Sequence, residues 1–505
     1  MAEVTISTHG MTFADVVAIA RYDAHVTLSR ESLSAMQSAR DHIEALAKSE
    51  TPVYGISTGF GALANRHVSQ ELRTQLQQSL IRSHAAGVGE PVEREVVRAL
   101  MALRLKTIAS GKTGVRPIVA ETMAAVLNAG ITPLVREFGS LGCSGDLAPL
   151  AHCALVLMGE GEALDVHGVQ RPVSELLAEA SITPVLLAEK EGLALINGTD
   201  GMLGMLILAL TDLRMLVDSA DVVAAMSVEG LMGTDKVFIP ELHGPLRSHP
   251  GQTKSAANML KTLKGSEIIA SHLEGDDRVQ DAYSLRCAPQ VAGAVRDTIE
   301  YAATVAEREL AAVIDNPVVL ADGRVSSNGN FHGAPVAYVL DFLAIAVADL
   351  GSIAERRTDR ALDKNRSHGL PPFLADDPGV DSGLMIAQYT QAALVSENKR
   401  LASPASVDSI PSSAMQEDHV SMGWSAARKL RKATSNLANI IAIELVTASR
   451  AIELRAPLKP SPDSAKIISA LRKNVPGPGP DRYLSPELVA AGDFVVNGRV
   501  MSSIQ

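Results

Sequence analysis

Three consecutive residues, Cys143-Ser144-Gly145, can carry out chemistry on their own backbone. Glycine leaves its nitrogen unhindered, so the Gly145 nitrogen can attack the Cys143 carbonyl carbon and close a five-membered ring. Loss of two waters, one taking the Ser144 hydroxyl, leaves an exocyclic methylidene on an imidazolone (MIO). That group is a strong electrophile of a kind no ordinary side chain supplies. The tripeptide alone does not establish it, since Ser and Gly are turn residues for steric reasons. A serine-hydrolase elbow, G-x-S-x-G, requires glycine where Asp146 stands, so that pattern fails. A Cys143 thiol nucleophile would need a histidine partner close in space.

The elements that position this loop read as mostly helical. Hydrophobic residues make up 46% of the 505 but aromatics only 3%, which points to an Ala/Leu/Val core of helix formers. Residues 1 to about 190 alternate short helical stretches with Gly/Pro punctuation, and alternation over 166–173 predicts a small hairpin. Long apolar periodicities follow at 201–226, 290–314, 334–360, 383–400 and 419–453, with a strand turn at Ala321-Asp322-Gly323. Helices of that length predict a bundle. The expected division is an N-terminal domain with the loop (1–195), a central long-helix bundle (196–455) and a C-terminal helical segment (456–505). Small residues such as Ala344, Ala346 and Ala348 suit close packing, within one chain or between subunits.

Lys and Arg total 46 against 57 Asp and Glu, a net charge of −11 that argues against nucleic acid or an anionic membrane as partner. Three cysteines without metal spacing indicate a reducing compartment. The first residues lack a basic segment followed by an apolar core, so the expectation is a soluble, cytoplasmic protein. The most apolar stretch, 202–210, ends at Asp212 and Arg214, short of the roughly twenty residues a membrane span needs. Three motif fragments are discounted. Gly59-Phe60-Gly61 lacks a βαβ context, Gly111-Lys112-Thr113 has Lys106 where a phosphate loop needs glycine, and Asn197-Gly198-Thr199 is a sequon without an export signal.

Six further stretches occur in order with the tripeptide: YGISTGFG (54–61), RSHAAGVG (82–89), EGLALINGT (191–199), QDAYSLR (280–286), GNFHG (329–333) and SAMQEDH (413–419). Together they resemble the MIO-dependent aromatic amino acid ammonia-lyases, over about residues 50 to 450. The resemblance implies a mainly α fold of the fumarase/aspartase-like superfamily, with homotetramers whose active sites combine residues from three subunits. It also implies elimination of ammonia from an amino acid by an MIO made from Cys143, Ser144 and Gly145, with no metal and no dissociable cofactor. By the same resemblance Tyr54 and Glu417 are candidates for the β-proton, Asn197 supports the ring carbonyl, and Tyr283 joins the catalytic set. Substrate-binding falls to His84, Gln280, Arg286, Phe331 and Met385. Gln280, Tyr283 and Arg286 are spaced by three and, if helical, share one face; Arg286 would clamp a carboxylate through two parallel hydrogen bonds. Ser83-His84 and Glu417 resemble the branch of the family that acts on L-histidine, since an imidazole needs polar partners. A tyrosine or phenylalanine lyase, an aminomutase and a silent helical oligomer are the alternatives. Cys143 stands where the family usually has alanine.

Overall fold

The long apolar periodicities fold as long helices. In the computed structural model they are Asp200–Gly230, Ala288–Ala311, Ala334–Leu362, Met385–Leu401 and Gly423–Glu453. Residues 2–48, 55–56, 58–59, 68–276 and 278–504 are described. The fold is mainly α, its long helices accompanied by a few short strands. Contacts divide the chain into two compact units.

The first unit comprises Met1–Leu208, Ala303–Leu340 and Ala405–Arg428. Its centre is the helix Arg94–Ala109, in which every residue from Val96 to Ala109 is buried. A helix buried on all faces has no solvated stripe for its charges, so Arg98, Arg104 and Lys106 must find partners inside the protein. Arg98 donates to the carbonyls of Ile19 (2.9 Å) and Leu127 (3.0 Å), and Lys106 to that of Ala312. Around this helix pack Phe13–Tyr22, whose start is fixed by reciprocal hydrogen bonds between Thr12 and Asp15, and Pro117–Asn128. Strands Glu3–Ile6 and His25–Leu28 pair in parallel across Phe13–Tyr22. The hairpin expected over 166–173 forms slightly earlier, from Glu162–Leu164 and Gln170–Pro172. Asp165 displaces it by accepting the backbone N–H groups of His167 (2.8 Å) and Val169 (2.9 Å), which makes 165–169 the turn. The strand turn at 321–323 forms as expected between Val318–Val319 and Val325–Ser326. Helices Arg73–His84, Leu147–Leu157 and Glu191–Ile196 pack on one another, and the segments at their ends carry the chemistry.

The second unit comprises Ala209–Ala302, Asp341–Pro404 and Lys429–Gln505. Its core gathers Val228, Leu231, Phe238, Met259, Leu263 and Leu285. Buried charge is again paired: Arg357 donates to both oxygens of Glu444, which also accepts Ser227 Oγ (2.7 Å). Ala334–Leu362 has the length and apolar content of a membrane span, which exceeds the nine-residue stretch singled out in the sequence. Of its most apolar window 61% is buried inside the protein, as in a core helix.

Candidate active site

The segment 139–146 joins strand Arg136–Phe138 to helix Leu147–Leu157 and is cinched by its own polar residues. Ser140 Oγ accepts the Gly142 N–H (3.1 Å) and donates to Asp146 Oδ1 (2.9 Å). Gly142, Ser144 and Gly145 all take left-handed backbone, with φ of 71°, 50° and 84°. For Ser144 that conformation costs on the order of 1 kcal/mol and persists only where the surroundings impose it. Those surroundings press from two sides. A Cβ on Gly145 would stand 2.0 Å from the Gly198 carbonyl oxygen, and the Asp146 N–H donates to that same oxygen at 2.7 Å. A Cβ on Gly142 would stand 2.2 Å from Ser421 Oγ, while the Met422 N–H donates to the Leu141 carbonyl (3.0 Å).

Asp146 ties this loop to the next element. Fully buried, it accepts the backbone N–H groups of Gly201 and Met202 (both 2.9 Å), filling orphan donors at the start of the Asp200–Gly230 helix. Burial nevertheless pushes its carboxyl up to about 7.

Ser144 opens into a cavity of about 380 Å³. Its apolar wall is Leu76, Leu80, Leu147, Leu193 and Ile196, and its polar groups are Ser79, Ser83, His84, Ser144, Asn197, Ser413 and Glu417. An apolar pocket with a few convergent polar groups is the usual form of a small-molecule site. Asn197, 2% exposed, donates its side-chain amide to the Asn316 carbonyl (2.8 Å), and its Oδ1 has no partner among the described residues. Glu417 is paired with Ser412 through two backbone hydrogen bonds and accepts Ser412 Oγ at 2.9 Å. The Cys143 thiol lies beside both residues, and burial pushes it up to about 11. His84 bonds the Leu80 carbonyl through Nδ1 (2.9 Å). Burial lowers its pKa, against smaller opposing effects of the Leu80 carbonyl and Glu417.

The structure thus brings Ser144, Asn197, His84 and Glu417 to one cavity. Tyr54 lies outside the described residues. Phe331 is half-buried and absent from the cavity lining; its neighbour His332 stacks on His419 at 5.7 Å. Gln280, Tyr283, Arg286 and Met385 belong to the second unit. The helical face expected for the first three does not form: only Tyr283–Arg286 is helical, a single turn. Ala282 is extended, and Asp281 is held by the Thr234 N–H (2.7 Å), so the chain enters that turn from a fixed bend. Arg286 stacks over the Tyr283 ring at 4.5 Å and donates to the Asp281 carbonyl (3.0 Å). Met385 lines a separate cavity with Phe373 and Gln388. Ser412, Asp146 and Arg104 were not singled out from sequence. Only Arg104 left a signal there, as one of three charges (with Arg98 and Lys106) set among the apolar residues of 96–109.

The long-helix fold thus holds a left-handed Ser144-Gly145 turn against Asn197-Gly198. Residues 11–473 match the aromatic amino acid lyases. The chain belongs to that family and is a carbon–nitrogen lyase. It is 69% identical to the histidine ammonia-lyase of Streptomyces avermitilis, over 100% of this chain and 99% of the relative. Among solved structures it superposes on a tyrosine aminomutase from Streptomyces globisporus with a TM-score of 0.94 at 38% identity, covering 100% and 98% of the two chains. The histidine ammonia-lyase of Trypanosoma cruzi gives 0.91 at 38% identity, covering 99% and 95%.

Proposed function

We propose that this chain is a cytoplasmic histidine ammonia-lyase, converting L-histidine to trans-urocanate and ammonia with an MIO formed from Cys143, Ser144 and Gly145. The observation that carries the reading is the single cavity that joins Ser144 and Asn197 to His84 and Glu417. The tripeptide fits the group: its turn is left-handed at Ser144 and Gly145, and no side chain has room at Gly145. Once formed, the group supplies an electrophilic carbon that makes the substrate's amino group a better leaving group.

The chain's own residues do the rest. A carbonyl oxygen only accepts, so His84 keeps its proton on Nδ1 toward Leu80 and offers Nε2 as an acceptor in its neutral form. Glu417, steadied by Ser412, supplies a second acceptor for an imidazole N–H and a group able to move a proton. Leu76, Leu80 and Leu193 exclude water from the space between them. Arg286 supplies the carboxylate clamp, Gln280, Tyr283, Phe331 and Met385 complete substrate contact, and either Tyr54 or Glu417 takes the β-proton. These come together in a homotetramer.

Purified protein offered L-histidine, L-tyrosine and L-phenylalanine separately should release ammonia and a conjugated acid from histidine alone. Product from tyrosine instead would favour the aminomutase-like reading that the 38% identical structure keeps open. Ser144→Ala has no hydroxyl to lose, so it should keep the second water equivalent out of the mass balance and lower turnover by at least about a thousandfold. Full activity in that variant would sink the mechanism.

A further inference from the structure

The buried cation Arg104 lies directly beneath the loop chemistry. Its Nε donates to Asp200 Oδ2 (3.0 Å), its Nη1 to the carbonyls of Ala194 (3.0 Å) and Asn197 (3.3 Å), and its Nη2 to the Ile314 carbonyl (3.2 Å) and to Asp200. These acceptors belong to two segments. One is the 194–200 turn that carries Asn197 and Gly198. The other is 314–316, whose Asn316 carbonyl receives the Asn197 side-chain amide at 2.8 Å. Arg104 therefore fixes Asn197 from both ends, by its backbone and through the segment that orients its side chain.

The stacking above the guanidinium is equally tight. A Cβ on Gly198 would stand 1.6 Å from Arg104 Nη2 and 2.5 Å from Asp200 Oδ2. Gly145 rests in turn on Gly198, with its would-be Cβ 2.0 Å from the Gly198 carbonyl oxygen. Guanidinium, Gly198 and Gly145 thus form three successive layers with no room for a side chain between them. A planar fork with five donors can satisfy this set of acceptors at once, which a lysine ammonium on a flexible stem cannot.

The geometry points to Arg104, locked by Asp200, as the positioning residue that holds Asn197 and Gly198 against the ring-forming tripeptide. The inference rests on the MIO reading above. Ring closure forms the bond from the Gly145 nitrogen to the Cys143 carbonyl carbon. The carbonyl oxygen leaves as water with the hydrogens of the Gly145 and Ser144 nitrogens. The second water takes the Ser144 hydroxyl and the Ser144 α-hydrogen. Both steps require Gly145 held where its φ of 84° places it, and that placement is made by Gly198. Arg104 touches neither the substrate nor the reacting atoms.

The test reads the intact mass of the full-length chain under denaturing conditions, together with kcat and KM for histidine. Parent protein should be lighter than its sequence by two waters; a parent that keeps both overturns the MIO reading itself, independently of Arg104. Arg104→Lys should yield a fraction of chains that keep their waters. It should also show kcat about tenfold lower or worse, with KM changed less than about threefold. Asp200→Asn, close to isosteric, should move both readouts in the same direction and serves if the lysine variant does not fold. Arg98→Lys is the control: it loosens the same buried helix but bonds Ile19 and Leu127 instead, so it should lower Tm while leaving mass and kcat unchanged. Complete dehydration with parental kcat in Arg104→Lys or in Asp200→Asn overturns the inference. So does an Arg98→Lys protein that loses ring formation equally, since any loosening of the helix would then suffice.

Discussion

His84 shows how burial and one carbonyl set a side chain's role. With Nδ1–H committed to Leu80, only Nε2 changes state on titration, and burial holds the imidazole neutral to below the usual histidine range. The sign follows directly: as pH falls through that lowered value, Nε2 gains a proton, stops accepting and turns away an imidazole N–H. kcat/KM for histidine should therefore fall on the acid side, and His84→Gln, which cannot titrate, should lack that limb. Comparing the two pH profiles separates this effect from the substrate's own ionisation; identical profiles would remove His84 from recognition. Glu417→Gln keeps the shape and loses the charge, so turnover should drop by at least about a hundredfold if the residue accepts a proton. Parental kinetics would deny Glu417 both of its roles. At Cys143 the expectation runs the other way. The thiolate is the reactive form, and a thiol pushed up to about 11 is almost wholly protonated at neutral pH. Mass mapping after iodoacetamide at pH 7.5 should find Cys143 largely unmodified, and Cys143→Ala should cyclise and turn over within about threefold of the parent, because the ring uses only backbone atoms of that residue.

At the level of elements, the turn before Glu417 is built against local preference. Ser413, Ala414 and Met415 have φ of 51°, 51° and 69°, three successive left-handed residues without a glycine. Each such residue costs about 1–2 kcal/mol, and the turn is closed by the Ser412–Glu417 backbone pair. Ala414→Gly should raise stability by about 1 kcal/mol in denaturant melts while lowering turnover, since the turn that aims Glu417 is no longer obliged to hold one shape. A loss of stability would show that the turn is not strained. Such a turn leaves no trace in composition, which is why the sequence offered the motif around Glu417 but not its geometry. Periodicity did reveal the long helices, because a 3.6-residue repeat persists over many turns. Spacing by three was a weaker guide at 280–286, where the bend held by Asp281 interrupts the helix before Gln280 can join it. Arg104 marks the other limit. Its charge among apolar neighbours was visible, as were those of Arg98 and Lys106, but its partners at Asp200 and Ile314 lie 96 and 210 residues away, and only folding brings them to it.

For the molecule as a whole, the clamp proposed for Arg286 would act on chemistry at Ser144 from outside that residue's cavity. Arg286 is absent from the lining of the cavity that Ser144 opens into. Val279 is 100% exposed and Tyr283 72% exposed, apolar and aromatic surface of the kind a second copy of the chain would cover. If each active site draws Arg286 from a neighbouring copy, two inactive variants can repair one another. Ser144→Ala would lack the proposed electrophile but contribute a sound Arg286, whereas Arg286→Met would lack the proposed clamp but contribute a sound Ser144. Each alone should show almost no turnover of histidine. Co-expressed, they should form mixed assemblies in which some sites join the intact Ser144 of one copy to the intact Arg286 of another, and activity should return. Mixing the two purified proteins without subunit exchange should restore nothing. Mixed assemblies that stay inactive, with both chains present in the same particle by native mass, would place the whole site within one chain.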